Sequence, residues 1–535
     1  MLHKNRTGAA LLTLSLAISP AFFAGAQTAP TAPQPTPPTS GAAQPPAPQS
    51  GAPSGSKPGS QVEAKPETRI TPEQAKELFA SVGTILQFSS DDTKLAIKKE
   101  VKSKLITRDE VEKYLVDKMN DDKDAKRMER SEIVLKKFGL LDADFHLRPF
   151  LVQLLDEQIA AFYDSKTKTV NLLDWIDPAT QKPVLAHELT HALQDQRVNL
   201  DKWENQTSDD LSKNFADDRK HVATDEDDTA REAVTEGQAM AVFVDYSLQP
   251  IHQTLRSAPE MIEKMLEGMT DDSDSPVLTR APLLLQESLL FPYKDGLKFE
   301  AKLMTDSKDP AVPFAGVLDR PPDTSFEIMN PRAYEHQVKV PVLHMPDIHP
   351  IIDADYNPYD IGVMGELDVR ILAELFGGNQ ASAELTPEWD GGLYYAAQKK
   401  DAPDKDATSS VSLLYLSQWK TTDAAEDFVK MYANEVGHKY KHVTRDTAAE
   451  TSQDEQIYRT NEGPVLIVTS GTDVFISESF DLNMARKLQL LMLGAQQESG
   501  GQVAGLRTAP ASDLTGGMVR FMAGCGMMKA ALPHH

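Results

Sequence analysis

The residues best placed to do chemistry together stand in the run Ala186-His187-Glu188-Leu189-Thr190-His191. Two histidines at i and i+4 lie one turn apart on the same face of a helix, so both imidazoles can reach one metal ion. The glutamate beside the first histidine can take a proton from a water held by that metal. Zinc is the ion such a pattern selects, one per chain, and hydrolysis is the chemistry it serves. For this to work the stretch Pro183 to Gln196 must be helical, and it reads so. At about 100° per residue, Leu185, Leu189, Ala192, Leu193 and Gln196 gather on one side. His187, Glu188, His191 and Asp195 gather on another. The expectation is a helix packed by one face and offering its histidines from the other. Asp195, a turn beyond His191, is either an acceptor for an imidazole N–H or a solvated acid at the helix end.

A catalytic zinc keeps three protein ligands and an open position, so the two histidines need a third partner. Ala230 to Phe243 also reads as helix and offers two carboxylates. Glu236 is the first choice, because the Gly237 that follows lets another backbone approach closely. Glu232, one turn earlier, is the competitor. His221 lies in acidic surroundings that read as loop. Tyr293 and Tyr334 are candidate donors to a developing oxyanion. His344 and His349 flank Pro346 in a proline-rich connection and read as loop residues.

H-E-L-T-H followed by a helix carrying Glu236-Gly237-x-Ala239 resembles the gluzincin clan of zinc metallopeptidases. More closely, the chain is similar to a group of secreted bacterial gluzincin-like proteins. Ala161 to Asp164, Phe291 to Phe299, Pro321 to Glu327, Asn330 to Tyr334, Gly365 to Leu367 and Glu388 to Gly392 carry that likeness, over roughly residues 135 to 480. The resemblance implies a peptidase acting on peptide or protein. His187, His191 and Glu236 would bind zinc, and Glu188 would serve as general base and then as proton donor to the leaving amine. It also implies that the strand just before the motif helix lies at a sheet edge, where an extended substrate can pair. The chain departs from compact gluzincins in its longer stretch between His191 and Glu236, acidic and polar from Asp201 to Asp228. Rival readings are a non-peptidase zinc hydrolase on the same frame and a catalytically silent envelope binding or scaffold protein that retains the zinc site.

Composition narrows the setting. Among 535 residues, 80 acidic side chains face 55 basic ones, an excess of 25. That balance argues against nucleic acid as a partner and against an anionic membrane surface. Cys525 is the only cysteine, so the chain forms no internal disulfide. Residues 1–26 read as a secretory signal: Lys4 and Arg6, an apolar run from Ala9 to Phe23, then the small-residue site Ala24-Gly25-Ala26. The expectation is an exported protein, periplasmic or secreted, with no stable membrane insertion after cleavage.

Residues 27–66 are rich in Pro, Ala, Gln, Ser and Gly, bury no core and read as a disordered tether. The fold class expected beyond them is α+β. A mainly helical, zincin-like domain spans 67–384, with a small edge hairpin over Ile159 to Leu173. A smaller α+β domain follows over 385–498, then a loose tail over 499–535. Thr71-Pro72-Glu73-Gln74 and Thr107-Arg108-Asp109-Glu110 are capping boxes that open two helices. Gly377-Gly378-Asn379 ends a helix begun at Gly365. In the last domain, strands are expected near 392–397, 411–419, 456–460, 465–469 and 474–478, with helices over 422–436 and 482–493.

Overall fold

The computed structural model describes residues 69–121, 123–203, 214–222, 226–269, 275–340 and 342–499. The expected signal and tether, Cys525 and the tail beyond 499 lie outside the described residues. The architecture is α+β, with many helices and two sheets. Among the described residues, no helix is long and apolar enough to cross a membrane.

Local chemistry sets the helix ends. In the Pro72–Thr93 helix, Gln74 N donates to Thr71 Oγ1 at 3.2 Å and Thr71 N to Gln74 Oε1 at 2.8 Å, the reciprocal cap the sequence predicts. The motif helix, Pro178–Val198, starts where Asp177 Oδ1 accepts from Ala179 N at 2.8 Å, with Pro178 at its first position. It stops at Asn199, which adopts a left-handed φ of 62°. The helix begun at Glu366 breaks at Gly378 (φ 78°, ψ 178°), where the sequence predicts its end, and a second helical stretch runs on to Leu385.

Three strands stand before the motif helix: β1 (Lys102–Ile106), β2 (Ala161–Asp164) and β3 (Thr169–Leu173). β2 and β3 form the expected hairpin, and β1 pairs in parallel with β3, giving the order β1-β3-β2. This corrects one expectation. The strand just before the motif helix, β3, is central, and the edge strand beside the helix is β2. The partner that covers β3 comes from Lys102–Ile106, whose lysines and serine mask a strand.

The second sheet has seven antiparallel strands in the order β4-β5-β6-β10-β9-β8-β7. They are β4 (Tyr356–Val363), β5 (Trp389–Lys399), β6 (Val411–Trp419), β7 (Thr444–Arg445), β8 (Glu455–Thr460), β9 (Gly463–Ser470) and β10 (Asp473–Glu478). β4 and β7 were not legible in the sequence. β4 carries Pro358 and an irregular register beside it, which an edge strand tolerates. The helices Thr422–Lys439 and Leu482–Ser499 belong to different buried clusters, one for each face of the sheet. The first cluster runs without a break from the motif helix to Val474 and Ile476 of β10. Lys137 reinforces that join: its Nζ reaches Glu462 Oε2 at 2.8 Å and Ser479 Oγ at 2.7 Å.

Four helices position the chemistry. The motif helix packs on Pro72–Thr93, where Ser89 Oγ donates to the Ala186 carbonyl at 3.2 Å. It also packs on the ligand helix, Asp227–Leu248, which packs in turn on Leu283–Asp306. In that last pair the backbones touch. A Cβ on Gly237 would stand 2.2 Å from the Gly296 carbonyl oxygen, and one on Gly296 would stand 2.2 Å from that of Ala233. The close approach expected of Gly237 is therefore real, and its partner is Gly296. Gly237→Ala or Gly296→Ala should each destabilise the fold by about 3 kcal/mol, the upper range for overpacking a core. Gly83→Ala, in a helix with open space at that Cβ, should cost nothing or stabilise by up to about 1 kcal/mol. Urea unfolding of the three variants measures the contrast.

Candidate metal centre

The motif helix and the ligand helix bring three donor atoms together. His187 Nε2 and His191 Nε2 are 2.9 Å apart, and Glu236 Oε2 lies 3.0 Å from the first and 3.5 Å from the second. Donors around a tetrahedral ion with bonds of about 2.0–2.1 Å stand about 3.4 Å apart, so the trio has the right span. His187, His191 and Glu236 could therefore bind a metal ion; among the described residues they are the group able to do so. Glu232 is buried on the same helix and lies outside the group. His221, in the helix Phe215–Val222, also lies outside it.

Electrostatics match three donors forced into a dry site. Burial holds His187 neutral, with its pKa down at about 4. Burial also opposes charge on His191, but the Glu236 carboxylate prevails and lifts its pKa to about 9. For Glu236, burial pulls upward and the imidazoles, His191 first, hold it well below the usual carboxylate range. The metal-free site is thus an ion pair, a proton on His191 facing Glu236.

Glu188 is 2 % exposed, and burial raises its pKa to about 7. The backbone N–H of Tyr163, on β2, favours its charged form. Its Oε1 is buried without a hydrogen-bond partner. The expected two-faced helix is in fact covered on both faces, because β2, the ligand helix and Leu283–Asp306 close over the histidine side. Tyr293 belongs to that cover: its ring lies nearly parallel to His187, with centroids 6.3 Å apart and planes at 24°.

Two expected roles go elsewhere. Asp195 meets no imidazole. It is buried, accepts from Tyr163 Oη at 2.8 Å, and pairs with Lys168 Nζ at 2.7 Å. The acceptor on His191 is Gln194, whose Oε1 lies 2.9 Å from Nδ1. Three residues onward brings a side chain back to His191 and four carries it toward the hairpin. Only the i+3 spacing could have pointed to Gln194 in the sequence. Tyr334 donates its hydroxyl to the Arg320 carbonyl at 2.7 Å and packs its ring against Phe299. His349, read as a loop residue, is buried between Asp218 Oδ2 at 3.1 Å and Asp353 Oδ1 at 3.0 Å.

Tyr334→Phe should therefore lower stability by about 1 kcal/mol, the usual loss for one buried hydrogen bond, and leave metal affinity unchanged. Thermal unfolding and metal titration of the same variant check both halves.

Comparison of the chain with protein-family models, with curated proteins and with solved structures finds no match.

Proposed function

We propose that this chain is an exported, zinc-dependent peptidase of the gluzincin type. One observation carries the reading: a buried glutamate, Glu188, stands next to two histidines and a carboxylate that converge at metal-ligand spacing. Two nitrogens and one oxygen suit zinc and leave a coordination position free for catalysis. When bound, the ion would supply Lewis acidity, polarising a scissile carbonyl and making water easier to deprotonate.

The chain's own residues then divide the work. Glu188 takes the proton of the attacking water and passes it to the leaving amine. Burial, which lifts its pKa in the protein without a metal, strengthens it as a base. Tyr163 N–H steadies its charged form. Tyr293 lies alongside the His187 ring and helps cover it. Among the described residues, the order β1-β3-β2 gives β2 a strand partner on one side only, which supports an extended peptide as substrate. The closed state of the centre favours a second reading, a silent binding or scaffold protein: the His191 side chain is 12 % exposed, and that of His187 1 %.

Purified protein should hold about one zinc per chain, lost in His187→Ala and His191→Ala. Glu236→Ala should also lose it, whereas Glu232→Ala should keep it; the reverse would move the third ligand one turn. Glu188→Gln should keep zinc and slow cleavage of a generic protein substrate by about 10²- to 10⁴-fold. Zinc bound by a parent that cleaves nothing would favour the scaffold reading.

A pH test follows from His191. Its folded pKa, about 9, exceeds the ordinary 6.5. In the metal-free protein its contribution to stability is therefore complete below pH 6.5 and lost as pH rises through about 9. Zinc takes the place of that proton. Binding at pH 7.5 should release roughly one proton per ion, and above about pH 10 almost none. Calorimetry in buffers of different ionisation enthalpy measures the count.

A further inference from the structure

Behind His191 runs a chain of buried amides. Gln194 Oε1 meets His191 Nδ1 at 2.9 Å. Gln194 Nε2 donates to the Thr235 carbonyl at 3.0 Å and to Gln238 Oε1 at 3.0 Å. Gln238 Nε2 donates to the carbonyls of Pro313 at 2.9 Å and Phe314 at 3.1 Å. Both glutamines are fully buried. Pro313 and Phe314 belong to a π-helical turn, Val312–Gly316.

The direction of this chain is not free. Backbone carbonyls only accept, so Gln238 must turn its NH2 toward Pro313 and Phe314 and its oxygen toward Gln194. Gln194 must then turn its NH2 toward Thr235 and Gln238 and its own oxygen toward His191. An amide oxygen also only accepts, so His191 Nδ1 must carry a hydrogen. That leaves Nε2 as the nitrogen facing His187 and Glu236.

We infer that Gln194 and Gln238 form a neutral positioning relay, anchored on the Val312–Gly316 turn, that fixes the tautomer and ring orientation of His191 for metal binding. The inference rests on the zinc reading above and deepens it. A carboxylate at the same place would also accept from Nδ1–H, but it would add negative charge to the centre. The amide orients the ring and leaves the charge of a bound cation undiminished. Gln238 touches neither ligand nor metal and acts only through Gln194.

Zinc affinity, measured by competition with a chromophoric chelator, tests this in the full chain. Gln194→Met should weaken binding about 10- to 100-fold, the usual range for removing such a partner. Gln238→Met should weaken it less. The double variant should match Gln194→Met alone, because two members of one relay are not additive. Gln194→Glu should also bind more weakly than the parent at neutral pH, since its carboxylate would face Thr235 O and Gln238 Oε1 with no hydrogen to give. Nitrogen-15 spectra of the histidine-labelled, zinc-loaded parent should show Nδ1 of His191 protonated. Additive losses, or a Gln194→Glu that binds as tightly as the parent, would overturn the relay. Full affinity in Gln194→Met would do the same and leave the zinc reading standing. A parent that binds no zinc removes that reading itself.

Discussion

Three lone-pair-bearing atoms held together in a dry interior are the constraint on which the rest of the structure depends. Two imidazole nitrogens and a carboxylate oxygen within 4.8 Å of one another repel unless positive charge sits among them. In the metal-free protein that charge is the proton His191 keeps to about pH 9. A bound cation would take its place. In both states the donors must be held where they would not gather unaided, so the stiffness of their supports decides whether the centre exists at all.

The supports are backbone contacts more than side-chain packing. The ligand helix is pinned to Leu283–Asp306 where Gly237 and Gly296 leave no room for a methyl group. Tyr293 stands one turn before Gly296, so the same crossing sets the ring that flanks His187. The amides behind His191 end on carbonyls of Pro313 and Phe314, again backbone. Part of the connection between the motif helix and the ligand helix is itself tied down. Its helix Phe215–Val222 sends Asp218 to His349 and packs Val222 into the cluster on the far face of the second sheet. That helix thus joins the stretch between the two helices to the sheet.

Much of this could be read in the sequence where one residue type has one physical use. The spacing of His187 and His191, the glycine after Glu236, the Thr71–Gln74 cap and the β2–β3 hairpin all declare themselves locally. What escaped depends on partners distant in sequence. β1 is a strand because β3 offers it an edge, although its own residues are largely polar. β4 is a strand because β5 does so, in spite of Pro358. Asp195 and Gln194 differ by one position on the helix, and the choice between them turns on where the hairpin and the ligand helix lie. Gln238 is an amide inside an apolar helix, and without Pro313 in view its pairing has no sequence signature. Tyr334 has its hydroxyl taken by the Arg320 carbonyl, fourteen positions away in the chain, which no local pattern announces.

Base strength and access come from the same walls. Glu188 reaches a pKa of about 7 because β2 and the neighbouring helices keep water away. β2 is fastened to the motif helix by Tyr163 Oη on Asp195, with Lys168 on the same carboxylate. Swinging β2 aside to admit a chain would break that bond. It would also rehydrate Glu188, drop its pKa toward the ordinary range and weaken it as a base. On the proposed reading, the productive arrangement is one in which the substrate replaces the lost wall. A peptide laid along the outer edge of β2 would compete with Glu188 for the Tyr163 N–H and would exclude water from Glu188 as it binds. The closed centre is then the resting form of a site that its own substrate completes.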